Sequence, residues 1–263
     1  MNRYAHSAMN LACRLACRIP SWLAVGGWLV VGMTSTLYCA DAILPAFEVG
    51  EKLVYDVSWL GITAGQAKLR VTDIRTLGGK QAYRVKVTAE TSKGFSVFFK
   101  LRDELTSTFT TDLFHSLRYT KRLREGKYHA DDEIIYNHEA GFAVYRGKQF
   151  EIPFGVRDPI SCIYYLRSLD LEKLTEIHLR ATSDNKNHDI IVKIQGVDPI
   201  KIGGQMVDAL LIEPVPAFES RLFQKDRSEL RLWLSRDERK VPLRIMVKIK
   251  IGAITAELTD KEE

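Results

Sequence analysis

From Leu53 onward, apolar and polar residues keep changing places with a period of two. Leu53, Tyr55, Val57 and Trp59 share one parity, with Asp56 and Ser58 on the other. Ala67, Leu69 and Val71 alternate with Lys68, Arg70 and Thr72, and Tyr83, Val85, Val87 and Ala89 with Arg84, Lys86 and Thr88. A period of two belongs to a strand with one face buried and the other wet. Half-wet strands of this kind build antiparallel sheets, because parallel strands are apolar on both faces.

The breaks in the pattern are strand joints. Gly61 and Gly65 flank a first turn region, and Gly78-Gly79 is a strong hairpin signal. Phe95–Phe99 reads as a short helix or a bulged strand. Leu105–Phe109 and Leu117–Leu123 resume the alternation, Gly126 interrupts it, and Asp131–Asn137 and Phe142–Arg146 continue it around a turn near Gly141. Later, Ile177–Ala181 and Ile190–Ile194 flank a polar turn from Thr182 to Asp189. Met206–Glu213 and Leu230–Leu234 follow. The final strand carries Leu243, Ile245, Val247, Ile249 and Ile251 on one face and Arg244, Lys248 and Lys250 on the other.

One helix stands out. Asp158-Pro159 opens it, aspartate as the cap and proline at the first helical position, where a missing N–H costs nothing. Ile160, Ile163 and Tyr164 follow at helical spacing, and Tyr165, Leu166 and Leu169 widen the apolar surface. Such a helix belongs in the concavity of a sheet. The expectation is a mainly β fold: about a dozen antiparallel strands in a curved or open barrel-like sheet enclosing one main helix.

The N-terminus sets the compartment. Arg3, Arg14 and Arg18 precede an uncharged run, Ile19 to Ala40, that ends in Ala40-Asp41-Ala42. A basic head, an apolar middle and a small-residue exit make a secretory signal over residues 1–42, leaving one exported, periplasmic domain at 43–263. The alternatives are an uncleaved anchor holding the domain on the inner membrane's periplasmic side, and lipidation at Cys39.

After cleavage only Cys162 remains of four cysteines, so the domain has no internal disulfide and depends on packing. Cys162 lies in an apolar stretch and reads as a buried thiol. The exported part carries 35 basic and 32 acidic residues, interspersed, which gives no case for nucleic acid as a partner.

No catalytic signature emerges, and no metal or cofactor is expected. His129, Asp131 and Glu133 alternate on one face without a known ligand spacing, and neither a nucleophile elbow nor a phosphate loop is present. Two constellations remain. Phe95, Phe98, Phe99, Tyr164, Tyr165 and Arg167 supply the aromatics and the cation to line a ligand cleft, with a packed core as the plainer reading. Arg118, Arg122 and Arg124 share one strand face suited to anionic headgroups, polysaccharide or a partner, with a solvated sheet surface as the plainer reading. Asp158 and Pro159 read as structural.

The stretch from Phe47 to Tyr55, followed by Trp59, Gly61, Ala64 and Gly65, resembles the opening of an exported bacterial family known as domain of unknown function 3108 (DUF3108). Asp158-Pro159-Ile160-Ser161 with Tyr164-Tyr165-Leu166-Arg167 is similar to its second block. The resemblance covers about residues 45–257. It implies an envelope protein of Gram-negative bacteria whose sheet-around-helix fold resembles envelope lipoprotein carriers, and it implies no settled activity. The function expected is non-catalytic binding of an apolar or amphipathic envelope component. The possible partners are an envelope lipid, glycan or protein, with membrane contact only through the signal or at the periphery. The alternatives are a protein–protein adaptor of an envelope complex and a hydrolase of unknown type.

Overall fold

The computed structural model describes residues 45–216, 229–249 and 251–262. The secretory segment expected at 1–42 lies outside them, as does Lys250. Lys148–Glu151 and Ala253–Glu262 are additional to the alternating runs, so that among the described residues there are fourteen strands, against the dozen or so expected. They are β1 (Lys52–Trp59), β2 (Ile62–Leu77), β3 (Lys80–Thr91), β4 (Arg102–Thr110), β5 (Ser116–Glu125), β6 (Tyr128–Asn137), β7 (Phe142–Tyr145) and β8 (Lys148–Glu151), then β9 (Glu176–Ser183), β10 (Lys186–Ile202), β11 (Gln205–Pro216), β12 (Leu230–Ser235), β13 (Pro242–Lys248) and β14 (Ala253–Glu262). Helix α1 (Pro159–Arg167) lies between β8 and β9.

All fourteen strands form one antiparallel sheet in which strands consecutive in sequence pair with each other, except β8 and β9. β14 closes the series by pairing with β1, from Lys52 opposite Glu262 to Trp59 opposite Ile254. β8 and β9 are the outermost strands, and the segment carrying α1 joins them. That segment also stitches the two edges together. Arg157 N–H donates to the Arg180 carbonyl at 3.0 Å, and Thr182 N–H to that of Arg157 at 2.8 Å. Asn187 Nδ2 on β10 donates to the Glu151 carbonyl on β8 at 2.8 Å. The expected fold class is the one observed, mainly β with a curved sheet around one helix.

The helix separates two cores of different composition. Ile160 and Tyr164 pack with Phe47, Tyr83, Phe109 and Phe114, a cluster rich in rings. Cys162 and Leu166 pack with Leu179, Val192, Leu210, Ile212, Leu232 and Leu234, a cluster of aliphatics. Phe47 meets Tyr83 and Tyr164 edge-on, with centroids 4.9 and 4.6 Å away. Each large side chain fully buried this way contributes about 1.5–3 kcal/mol.

Several expectations need correction. The first turn is Leu60-Gly61, whereas Gly65 lies inside β2. Glycine is required there because a Cβ would sit 2.1 Å from the Glu90 carbonyl oxygen on β3. Of the two alternatives at Phe95–Phe99, the short helix is the one observed, a 3-10 turn over Phe95–Val97. The polar stretch Thr182–Asp189 is mostly strand, with only Asp184 and Asn185 turning the chain. The last alternating run stops at Lys248, and Gly252, at φ 78°, helps reverse the chain into β14.

Candidate functional site

The two ends of α1 bury charge. At its start, Asp158 has no exposed surface. Its Oδ1 accepts from the backbone N–H of Ile160 and Ser161 at 2.9 and 3.0 Å. Its Oδ2 accepts from the hydroxyls of Ser107 and Ser116. The Asp158 N–H donates to Ser116 Oγ at 2.7 Å. The cap expected from Asp158-Pro159 is therefore present, and it also ties the helix to β4 and β5. Burial pushes this carboxyl above the usual carboxylate range, while the hydroxyl and amide donors pull it back.

At the other end, Arg167 is also fully buried. It grips Glu51 with two bonds of 2.7 Å, and donates to the carbonyls of Ala46 and Arg239 at 3.2 Å each. Every guanidinium nitrogen is occupied. Desolvation pulls the Arg167 pKa down, but Glu51, Tyr164 and Tyr55 outweigh it and hold it above the usual value. An open cleft of about 660 Å³ adjoins this pair.

The six residues expected to line one cleft are not brought together. Tyr164 and Arg167 are interior, 1% and 0% exposed. Tyr165 is half-buried beneath the Arg157 guanidinium, 3.7 Å from its ring centroid. Phe95, Phe98 and Phe99 lie instead on the connection between β3 and β4, where Phe98 is 86% and Val97 83% exposed. That connection belongs to a rim of hairpin turns at one end of the sheet. Phe95 meets Trp59 edge-on at 6.4 Å, and Trp59 Nε1 donates to the Ile251 carbonyl at 2.9 Å. The Lys100 carbonyl accepts from the Gly126 N–H at 2.7 Å. Exposed Leu60, Ile62, Tyr128 and Ile251 extend the apolar surface. Lys93, Lys100 and Lys127 are exposed within it, and none has an ion-pair partner among the described residues.

Arg118, Arg122 and Arg124 share the wet face of β5, as their parity indicates. Each meets a carboxylate from a neighbouring strand. Arg118 pairs with Glu133 at 2.5 Å and Arg124 with Asp131 at 2.9 Å, while Arg122 stands 3.9 Å from Glu104. The arginine row is thus interleaved with acids, and His129, Asp131 and Glu133 are part of that mosaic. Cys162 is buried, and burial pushes its thiol up to about 12, which suppresses thiolate chemistry.

No curated protein matches the chain. A beta-barrel-like protein of domain of unknown function DUF1849 from Brucella abortus is similar in structure. The TM-score is 0.54 at 10% identity, over 81% of this chain and 97% of that one. A protein with a YmcC-like fold from Bacteroides fragilis, described as an inferred exported protein, aligns over 84% of this chain and all of its own. Its identity is 8% and its TM-score 0.37, too low to carry an argument. The first similarity supports the barrel-like sheet alone. The profile of one family, protein of unknown function DUF3108, matches residues 54–259, and the chain belongs to that family.

Proposed function

We propose that this protein is a non-enzymatic, periplasmic binding protein that engages an amphipathic component of the cell envelope through its aromatic rim. The observation that carries the reading is the exposure of Val97 and Phe98, 83% and 86%, beside three lysines without acidic partners. A lone exposed apolar residue needs no explanation, but a contiguous group ringed by cations fits an interface that is apolar on one side and anionic on the other. The lysines would meet anionic headgroups while the rings enter the acyl boundary. Among the described residues no helix is long and apolar enough to cross a membrane.

Co-sedimentation with vesicles tests it. Purified protein should bind phosphatidylglycerol vesicles and leave phosphatidylcholine vesicles largely free, with binding weakening as salt rises. Phe98→Ser should lower the affinity by roughly tenfold or more, the worth of one buried aromatic side chain. Equal binding by wild type and Phe98→Ser would remove the rim from the account. It would return the adaptor reading to the front.

A further inference from the structure

The seam between β8 and β9 holds a second feature, separate from the rim. We propose that it is a binding site for an amphiphile with a single anionic head, a carboxylate or a phosphate monoester, anchored by Arg157. Arg157 is only 9% exposed. Its Nη atoms donate to backbone carbonyls, Gly155 at 3.2 Å and Leu113 at 2.7 Å, while its Nε has no acceptor. Its guanidinium carbon stands over the Tyr165 ring, 3.7 Å from the centroid. No carboxylate ion-pairs with it among the described residues, in contrast to the fully buried Arg167. Desolvation holds its pKa below the usual arginine value. A buried cation without a counter-ion is costly, and an incoming anion would relieve that cost.

The space beside Arg157 suits such a guest. A cleft of about 640 Å³ opens there. Its lining includes the apolar residues Leu179, Ile190, Ile191 and the 69% exposed Phe154, with Leu179 and Ile190 turned toward the aliphatic core. Arg180 adds a second cation and His115, its pKa lowered to about 4 chiefly by burial, a neutral imidazole, while Asp189, opposite Arg180 in the β9–β10 register, supplies the cleft's carboxylate. Gly155, at φ 80°, keeps the turn narrow, because a Cβ there would stand 3.0 Å from His115 Nε2. The volume lies within the range of small-molecule sites, where apolar lining residues with a few convergent polar and charged groups orient a ligand. Arginine's planar fork grips carboxylate and phosphate alike.

Isothermal titration separates the sources of that chemistry. The probes are decanoate and octyl phosphate below their micellar concentrations, with decyltrimethylammonium and inorganic phosphate as controls. The expected result is saturable binding of the two anionic amphiphiles only. Arg157→Lys should weaken it by about tenfold or more, the worth of a charged hydrogen bond. Phe154→Ala, at a side chain 69% exposed, should weaken it several-fold. Phe98→Ser, on the rim, should leave it unchanged. Equal binding of the cationic control, or of inorganic phosphate alone, would overturn the proposal. So would wild-type affinity in Phe154→Ala, a variant that stays informative if Arg157→Lys does not fold. Loss of binding in Phe98→Ser would move the amphiphile to the rim and leave the seam without a role.

Discussion

The two ends of α1 bury opposite charges and satisfy them by different means. Asp158 is surrounded by neutral donors, two hydroxyls and two backbone amides. Arg167 is met by a full countercharge, Glu51, from a segment 116 residues earlier in the chain. Neutral donors stabilise a carboxylate without removing the desolvation cost, so the Asp158 carboxyl is pushed upward. An ion pair with bidentate geometry does better electrostatically but must desolvate two charges. The acidic end thus relies on local packing of β4, β5 and the helix. The basic end relies on a long-range partner that docks the start of the sheet.

The sharpest way to break this contrast is Glu51→Ala. It strands the buried Arg167 charge and should cost about 3–5 kcal/mol in urea unfolding. Replacing both partners, Glu51→Leu with Arg167→Met, should recover most of that loss. A double variant as unstable as the single one would show that Arg167's bonds to the Ala46 and Arg239 carbonyls, and not the ion pair, dominate. Next in size is Asp158→Ala, expected to cost about 2–3 kcal/mol. Loss of a cap alone is worth about 1 kcal/mol, and the buried hydroxyls left without an acceptor add the rest. A loss no larger than a cap would show that Ser107 and Ser116 find other partners.

The pH dependence of Asp158 distinguishes the ends further. The folded carboxyl keeps its proton at a pH where the unfolded one, near about 4, has lost it. Wild type measured against Asp158→Asn should therefore gain stability as pH falls toward about 4, and lose it as pH rises through the raised folded value. His115, lowered to about 4 chiefly by burial, acts in the opposite sense, since its stability is lost as pH falls below about 6.5. It is present in both proteins and cancels. Unfolding midpoints at several pH values decide the matter, and a difference that does not change with pH would discard the raised carboxyl. The smallest effect is expected for Arg118→Ala. Its exposed pair with Glu133 should be worth about 1 kcal/mol or less, so a large loss of stability would mean the outer mosaic works as a network.

Strand alternation made β1 to β7 and the helix cap legible, because one-sided burial imprints its period on the residues. β8 and β14 escaped for different reasons. Lys148–Glu151 is too short to show a period, and Ala253–Glu262 places Ala256 and Leu258 among charged residues that dilute the contrast. Parity also identified the arginine face, but the acids that neutralise it arrive from β4 and β6, which only register reveals. The aromatic run Phe95–Phe99 reads as core by composition. A rim of exposed rings violates the usual rule of burial, so composition pointed the wrong way. Glu51 and the Arg157 cleft were invisible because each depends on residues far apart in the chain.

The pairing of β1 with β14 also dictates an order of events. Synthesis delivers β1 first among the strands and β14 last, about 200 residues later by the register Ser58–Thr255. Until then the outer edge of β1 is a row of unpaired amides and carbonyls, a template for pairing with another chain. A ribosome can release complete hairpins early, yet the sheet stays open until its final strand is made. Such a topology has distant contacts and should fold slowly. A nascent chain of this kind would gain from a chaperone that guards one strand, β1, more than any other.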